Sequence, residues 1–328
     1  MATIYEVAAL AGVSPATVSR VLNGTRVAED LAGRVRAAAE ELDFTPSRTA
    51  RSLRRRHSEL IALVIPDIEN PFFTALARGV EDTARAAGYS VVLCNTDEDT
   101  DRESTYLRIA AAEQMAGVIL APAGETSDLG SLAGRPVVAV DRSPHGHDID
   151  TVTADSIGAG RAATAALLER GRTRIACITG PAGVDTSEDR AQGWRDAIEA
   201  ATGRTPDPSL LRHADFRFDG GREEAGRLLR SLPRVDGIVV TNNLMGAGAL
   251  AAVTAAPGSL SAEGIAIIGD LPYSALVPAG VAIVSLPARE LGEEAARLLL
   301  ARIGGDASPP RRVVLDGVAS SLRAPIPG

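Results

Sequence analysis

Apolar residues in the first 45 positions recur at helical spacing. Ile4, Val7, Ala8 and Ala11 share one face, Val18, Val21 and Leu22 a second, and Leu31, Val35, Ala38 and Leu42 a third. These faces predict three short helices around a small core. Gly12 stands between the first two helices and tolerates the backbone of a tight turn. Ser14-Pro15 follows as an N-cap and a residue suited to the first helical turn. The pattern is that of a helix-turn-helix, with Pro15, Ala16, Ser19 and Arg20 on the outer face of the second helix. A small helical bundle with no role on DNA would share the apolar spacing.

From residue 58 the rhythm changes. Continuous apolar runs at Leu60–Ile65, Val91–Cys94, Val118–Leu120 and Val137–Val140 predict buried strands, with helices over Phe72–Ala87 and Arg102–Gln114. The alternation continues with helices at Ile157–Arg170, Glu188–Ala200, Gly221–Leu232, Leu244–Ala255 and Arg289–Ile303. Strands fall between them at Ile175–Thr179, Gly237–Val240, Ile265–Gly269, Val281–Ser285 and Arg312–Leu315. Such a chain forms parallel sheets covered on both faces. About 270 residues exceed one comfortable doubly wound domain, so two subdomains are expected.

Charge sharpens the division. The 328 residues carry a net charge of −8, yet residues 1–57 hold nine arginines against six acids and the remainder 25 against 36. A basic head on an acidic body suits landing on nucleic acid by one end and excludes coating it along the whole surface. Cys94 and Cys177 sit in apolar runs and read as reduced core thiols. No start resembles an export signal and no apolar run approaches membrane length, so a cytoplasmic protein without membrane contact is expected. Catalytic material is sparse. His145 and His147 lie in a loop with Asp148 and Asp150 that reads as solvated, with a metal site as the rarer alternative. The acidic run Asp97–Asp101 reads the same way. No nucleotide-binding lysine follows a glycine-rich turn. No enzyme, cofactor or metal is expected.

The register of Thr3–Asn23 closely resembles the lac repressor family of bacterial transcription regulators. The resemblance continues through Thr45–Leu53, similar to that family's hinge helix. It extends through Ile65–Phe73, Val140-Asp141-Arg142, Asp189–Trp194 and Thr241–Met245 in the body. It implies a fold of an N-terminal all-α helix-turn-helix head and an α/β, periplasmic-binding-protein-like body of two doubly wound parallel-sheet subdomains. The expected boundaries are 1–45 for the head, 46–57 for the hinge and linker, and 58–328 for the body. Within the body, one subdomain takes about 58–157 plus 288–318, and the other about 158–287 plus the C-terminal residues. A homodimer on double-stranded operator DNA is implied, regulated by a small molecule in the cleft.

At the DNA end, Ser14 and Thr17 at the start of the second helix are placed for a phosphate. Tyr5, Ser19 and Asn23 resemble the family's further backbone contacts. Base reading falls to Pro15, Ala16 and Arg20, the last able to pair bidentately with guanine. A hinge helix of two turns is marginal alone in water, so residues 47–55 are expected to fold on DNA. Ser47 serves as its N-cap. Resemblance implies that Ala50 packs near its dimer mate and Leu53 wedges into the minor groove. Arg54 and its basic neighbours are expected to track phosphates.

Effector candidates sit at predicted strand ends, where open α/β sheets bind ligands. They are Phe72, Phe73, Arg142, Arg190 in a first helical turn, Phe216 in a loop, Asn242 and Asp270. Arginine, aspartate, asparagine and aromatic rings together suit a polyhydroxyl ligand such as a sugar. Two departures from the family leave that ligand open. Gly269-Asp270-Leu271-Pro272-Tyr273 is shortened, which can displace Asp270, and Val184 stands where purine-binding members carry arginine. A phosphorylated sugar, another polar metabolite or no effector at all remain alternatives. An enzyme or a transport-type binding protein is a more distant reading.

Overall fold

The computed structural model of the protein describes residues 2–22, 27–44, 58–132, 134–271 and 277–316. The chain divides into two units, Met1–Glu59 and Leu60–Gly328.

In the first unit, α1 (Ile4–Ala11), α2 (Pro15–Leu22) and α3 (Glu29–Glu41) enclose Val7, Ala8, Ala11, Val18, Val35 and Ala38. The Thr3-x-x-Glu6 spacing forms a reciprocal cap: Thr3 Oγ1 accepts the Glu6 amide at 3.3 Å, and Glu6 Oε2 accepts the Thr3 amide at 2.6 Å. Gly12 ends α1 in the left-handed region, at φ +62°. Ser14 Oγ then accepts the Thr17 amide at 3.1 Å, the N-cap the sequence predicts. Arg34 donates to the Gly12 carbonyl at 3.2 Å and ties α3 to the turn. Ala32 is the buried residue at the start of α3; Leu31, expected inward, is only half-buried. Asn23, Ser47, Ala50, Leu53 and Arg54, and the hinge as a whole, lie outside the described residues.

The second unit contains two parallel sheets. The first has the order β11-β5-β4-β3-β1-β2, built from β1 (Leu60–Ile65), β2 (Ser90–Asn95), β3 (Gly117–Leu120), β4 (Val137–Val140), β5 (Asp150–Ala154) and β11 (Arg312–Leu315). The second has the order β10-β9-β8-β6-β7, from β6 (Ile175–Thr179), β7 (Leu211–His213), β8 (Gly237–Val240), β9 (Ile265–Ile268) and β10 (Ala282–Val284). Both faces of the first sheet are buried, and alternate residues of β1 serve them. Ile61, Leu63 and Ile65 enter one core cluster, Ala62 and Val64 another.

Helices α4 (Pro71–Ala86) and α5 (Thr100–Ala112) belong to the first sheet. The chain then passes to the second, with α6 (Ser156–Glu169), α7 (Asp185–Thr202), α8 (Phe218–Leu229) and α9 (Asn243–Thr254). Finally α10 (Ala288–Ile303) returns to pack on α4, and β11 pairs with β5 from Arg312 opposite Thr151.

Strands β5 and β7 are absent from the sequence pattern because neither is an apolar run. β5 begins with Asp150, expected in a solvated loop, yet only 2% exposed. Arg302 donates to both of its oxygens, at 2.6 and 3.0 Å, and the Arg311 amide adds a third bond at 2.7 Å. Burial pushes the Asp150 carboxyl up, but these bonds and the two guanidinium charges together hold it below its ordinary value. The expected helix at Gly221–Leu232 instead runs Phe218–Leu229.

Three helix pairs approach closely enough to touch backbone to backbone. A Cβ at Gly79 would lie 2.1 Å from the Arg289 carbonyl, and one at Gly292 2.1 Å from that of Leu76. The same reciprocity joins α6 and α7 through Gly160 and Gly193, and α8 and α9 through Gly221 and Gly248. Gly292→Ala should therefore overpack the α4–α10 contact and lower stability by about 1–3 kcal/mol, read by urea unfolding. By contrast, a Cβ at Gly33 meets nothing within 4 Å. Gly33→Ala should stabilise α3 by about 1 kcal/mol, seen as slower amide exchange there. An unchanged unfolding midpoint for the first, or faster exchange for the second, contradicts this account.

Candidate functional site

The carboxyl ends of both sheets meet at one cavity. Asp67 follows β1, Glu98 follows β2, and Asp141 and Arg142 follow β4. Asn70 caps α4 by accepting the Phe72 amide at 3.0 Å, which sets Phe72, half-buried, and Phe73, 3% exposed and part of the core, against the cavity with rings edge to face at 5.1 Å. The second sheet contributes Thr186 and Arg190 from α7, Phe216 and Arg217 before α8, Asn242 and Asn243 at the start of α9, and Gly269 after β9. The free volume among these side chains is about 30 Å³. At the roughly 10–15 Å³ one water needs, that is room for two or three waters, and the cavity opens to solvent on one side.

Charges crowd this space. Arg142, 6% exposed, donates to both Glu98 oxygens, at 2.7 and 2.9 Å, and to the Pro122 carbonyl at 3.0 Å. Burial pulls its pKa down, but Glu98 and Asp141 more than offset that. Its guanidinium lies 5.3 Å from the centre of the Phe216 ring, a cation–π contact from one sheet to the other. Phe216 adopts φ +64°, and its ring packs against Gly180, where a Cβ would fall 2.1 Å from the ring edge. Arg217 also crosses the cleft, pairing with Asp67 at 3.2 Å and with Asp97. Burial raises the Asp67 carboxyl despite the Glu69 amide and Arg217.

Two charges are left without a close ionic partner among the described residues. Arg190 donates from Nη1 to the Thr241 carbonyl at 2.9 Å, while its buried Nε has no partner; burial lowers its pKa. Asp141 has only Arg142 Nε, at 3.7 Å. Burial raises its carboxyl, and the charges of Arg142 and Arg190 oppose that without cancelling it. It sits at φ +66°, a backbone cost typical of functional loops.

Of the sequence candidates, Phe72, Phe73, Arg142, Arg190, Phe216 and Asn242 all line the cavity. Asp270 does not: it is exposed, and its Oδ1 accepts the Ser285 hydroxyl at 2.7 Å. Arg190 falls in the second turn of α7, because that helix starts three residues earlier than the pattern indicates. Asn242 uses its amide locally, accepting the Met245 amide at 2.7 Å and donating to the Phe216 carbonyl at 3.1 Å. It thus fixes the loop that carries Phe216.

Glu98 corrects the reading of Asp97–Asp101 as a solvated run. It turns inward to Arg142, Asp97 meets Arg217, and Asp99 caps α5 by accepting two amides. Asp67, two residues after β1, Asp141, directly after β4, and Arg217, directly before α8, also line the cavity without being among the effector candidates. His145 pairs with Asp185 at 3.1 Å, and His147 with the Ser127 carbonyl at 2.9 Å. No cluster among the described residues could hold a metal.

In the first unit, Ala16 and Arg20 are exposed along α2, Pro15, Thr17 and Ser19 are half-buried, and Tyr5 on α1 is 72% exposed. Ser14 Oγ lies 3.0 Å from the Thr17 hydroxyl, so both hydroxyls gather at the helix start.

Residues 3–47 match the family described as bacterial regulatory proteins, lacI family, and residues 58–316 match periplasmic binding proteins and sugar binding domain of LacI family. The chain belongs to the lac repressor family. It is a DNA-binding transcription regulator of helical head and periplasmic-binding-protein-like body. The ribose operon repressor of Halalkalibacterium halodurans is 38% identical over 310 residues, 92% of this chain and 91% of that protein. The solved complex of the transcriptional regulator CelR with cellobiose is 32% identical, with a TM-score of 0.71 over 96% of this chain and 97% of that one. The lac repressor dimer bound to operator and the anti-inducer ONPF, at 23% identity, shares the fold with a TM-score of 0.83, again over 96% and 97%. No described helix is long and apolar enough to cross a membrane.

Because Asp141 has a raised pKa in the folded state, its ionisation costs stability. The cost is absent below the unfolded value of about 3.9 and complete above the folded one. Asp141→Asn should therefore stabilise the ligand-free protein at neutral pH, by an amount that vanishes as pH falls toward 4. Fluorescence of Trp194, the single tryptophan and 1% exposed, reports this in urea titrations across pH. Equal stability of the two proteins at every pH would show that the buried charge costs nothing.

Proposed function

We propose that the protein is a cytoplasmic, homodimeric repressor that binds a pseudo-palindromic operator and is controlled by a sugar or sugar derivative in the body cavity. It acts by binding rather than turnover. In this reading the head is residues 1–45, the hinge and linker 46–57 and the body 58–328, with subdomains of about 58–157 plus 288–318 and 158–287 plus the C-terminal residues. Paired copies of α2 enter successive major grooves, the protein two-fold matching that of the DNA. Pro15, Ala16 and Arg20 face base edges. Tyr5, Ser14, Thr17, Ser19 and Asn23 face the backbone, with Ser47, Ala50, Leu53 and Arg54 serving the hinge.

One observation carries the effector reading. A carboxylate, Asp141, and a guanidinium, Arg190, stand buried without close ionic partners, beside Phe72 and Phe216. Sugar hydroxyls would donate to the first and accept from the second, while ring C–H faces lie on the aromatics. The names of the similar proteins, with ribose and cellobiose among them, support the same class. The cavity is too small for a sugar as it stands, so entry must part Arg217 from Asp67 and Asp97. That changes the angle between the subdomains, and with it the spacing of the two hinges. A coupling of about 1–3 kcal/mol gives a 5–150-fold change in operator affinity.

Fluorescence anisotropy on selected operator duplexes, with ribose, other monosaccharides and cellobiose titrated in, tests this. One sugar should shift operator affinity within that range; a panel without effect removes the sugar. Arg20→Ala should weaken operator binding by about 1–3 kcal/mol and relax preference at one base pair. Retained preference at every position would place base reading elsewhere.

A further inference from the structure

We infer, on the sugar reading above, that the cavity selects an uncharged sugar and rejects its phosphate ester, with Glu98 as the residue that sets this choice. Three carboxylates, Asp67, Glu98 and Asp141, and three guanidiniums, Arg142, Arg190 and Arg217, line the cavity. Two of the three cations are already committed. Both terminal nitrogens of Arg142 bond to Glu98, at 2.7 and 2.9 Å. Arg217 is held between Asp67 and Asp97. Arg190 alone has no carboxylate pair among the described residues, only the Thr241 carbonyl at 2.9 Å, and Asp141 shares its surroundings.

A phosphate ester brings a charge of about −1.5 to −2 at neutral pH. To neutralise it, the ligand must take a cation from its carboxylate. Taking Arg142 strands Glu98, and taking Arg217 strands Asp67, which is 6% exposed. Asp67 is buried and Glu98 half-buried, at 8% and 26% side-chain exposure, so a carboxylate deprived of its partner stays at least partly desolvated and costs more than the pair was worth. Any phosphate reaching Arg190 also faces Asp141. A neutral sugar needs no cation for itself: Arg142 keeps Glu98, and Arg217, parted from Asp67 and Asp97 to admit the ligand, loses no carboxylate to it. Its specificity over the ester is built from repulsion as much as from contacts.

The turn that presents Glu98 is itself costly. Asp97 and Glu98 are consecutive non-glycine residues in the left-handed region, at φ +58° and +59°. The Glu98 amide bonds the Pro66 carbonyl at 3.2 Å and the Asp99 amide that of Thr96 at 3.1 Å, which holds the turn. The strained pair directs one carboxylate to Arg217 and the next to Arg142, so two of the three cavity arginines meet carboxylates from one loop.

Isothermal titration of the full chain with D-ribose and D-ribose 5-phosphate, and with D-glucose and D-glucose 6-phosphate, tests this. Whichever neutral sugar binds should do so roughly 100-fold more tightly than its ester, a little under the weight of breaking a fully buried pair. In Glu98→Gln, which frees the Arg142 charge, that ratio should fall roughly tenfold or more. An ester that binds as well as its parent overturns the inference and leaves a sugar site standing. Binding of neither member of either pair, nor of other neutral sugars, overturns the sugar reading as well. A ratio unchanged in a folded Glu98→Gln removes Glu98 from the choice. Should that variant not fold, the wild-type ratio still decides whether charge is excluded.

Discussion

Close approach of paired helices fixes where the cavity's side chains fall. In α4 with α10, α6 with α7, and α8 with α9, a glycine on each helix meets the backbone of the other. The helices that carry cavity residues near their starts are α4, α7, α8 and α9, and each belongs to one of these pairs. Gly160 rests on the carbonyl of Arg190 itself, and Gly248 on that of Phe218, beside Phe216 and Arg217. A methyl group at such a contact would move a helix by more than the tolerance of a hydrogen bond. The site is therefore positioned by residues that have no side chain to touch it.

The cavity tolerates its charges because four of the six are paired, Arg142 with Glu98 beside one sheet and Arg217 with Asp67 across to it. Arg142 joins Glu98 in its own subdomain and lies over Phe216 of the other; Arg217 crosses in the opposite direction to Asp67 and Asp97. These contacts make the closed arrangement electrostatically self-consistent, and they are the ones a ligand must rearrange to enter. Asp141 and Arg190 are the exception, buried without close ionic partners, and are where ligand atoms have most to gain. His145 with Asp185 and Arg142 with Phe216 show that the two sheets also meet beyond the Arg217 bridge.

Much of the architecture was legible because its signals are local. Buried parallel strands are continuous apolar runs, and the helix-turn-helix declares itself through apolar spacing, Gly12 and Ser14-Pro15. Where burial falls on polar residues the signal fails. β5 opens with Asp150 and carries Thr151 and Thr153, and only Arg302 and Arg311, more than 150 residues away in the sequence, make its burial affordable. β7 is three residues long, with arginine and histidine in it, at the edge of its sheet.

The cavity divides in the same way. Candidates at the ends of predicted strands, such as Phe72, Arg142 and Asn242, follow from the rule that ligands bind beyond the carboxyl ends of parallel strands. Asp270 follows from that rule too, and the structure turns it outward to Ser285. Sequence by itself determined the periodicity, the Ser14 cap and the order of the helices and the apolar strands, since these depend on neighbours a few residues apart. Only the tertiary structure decided which charges meet. Glu98 in an acidic run looks solvated until folding brings Arg142 against it from 44 positions away, because a charge's burial is settled by its partner and not by its neighbours in the chain.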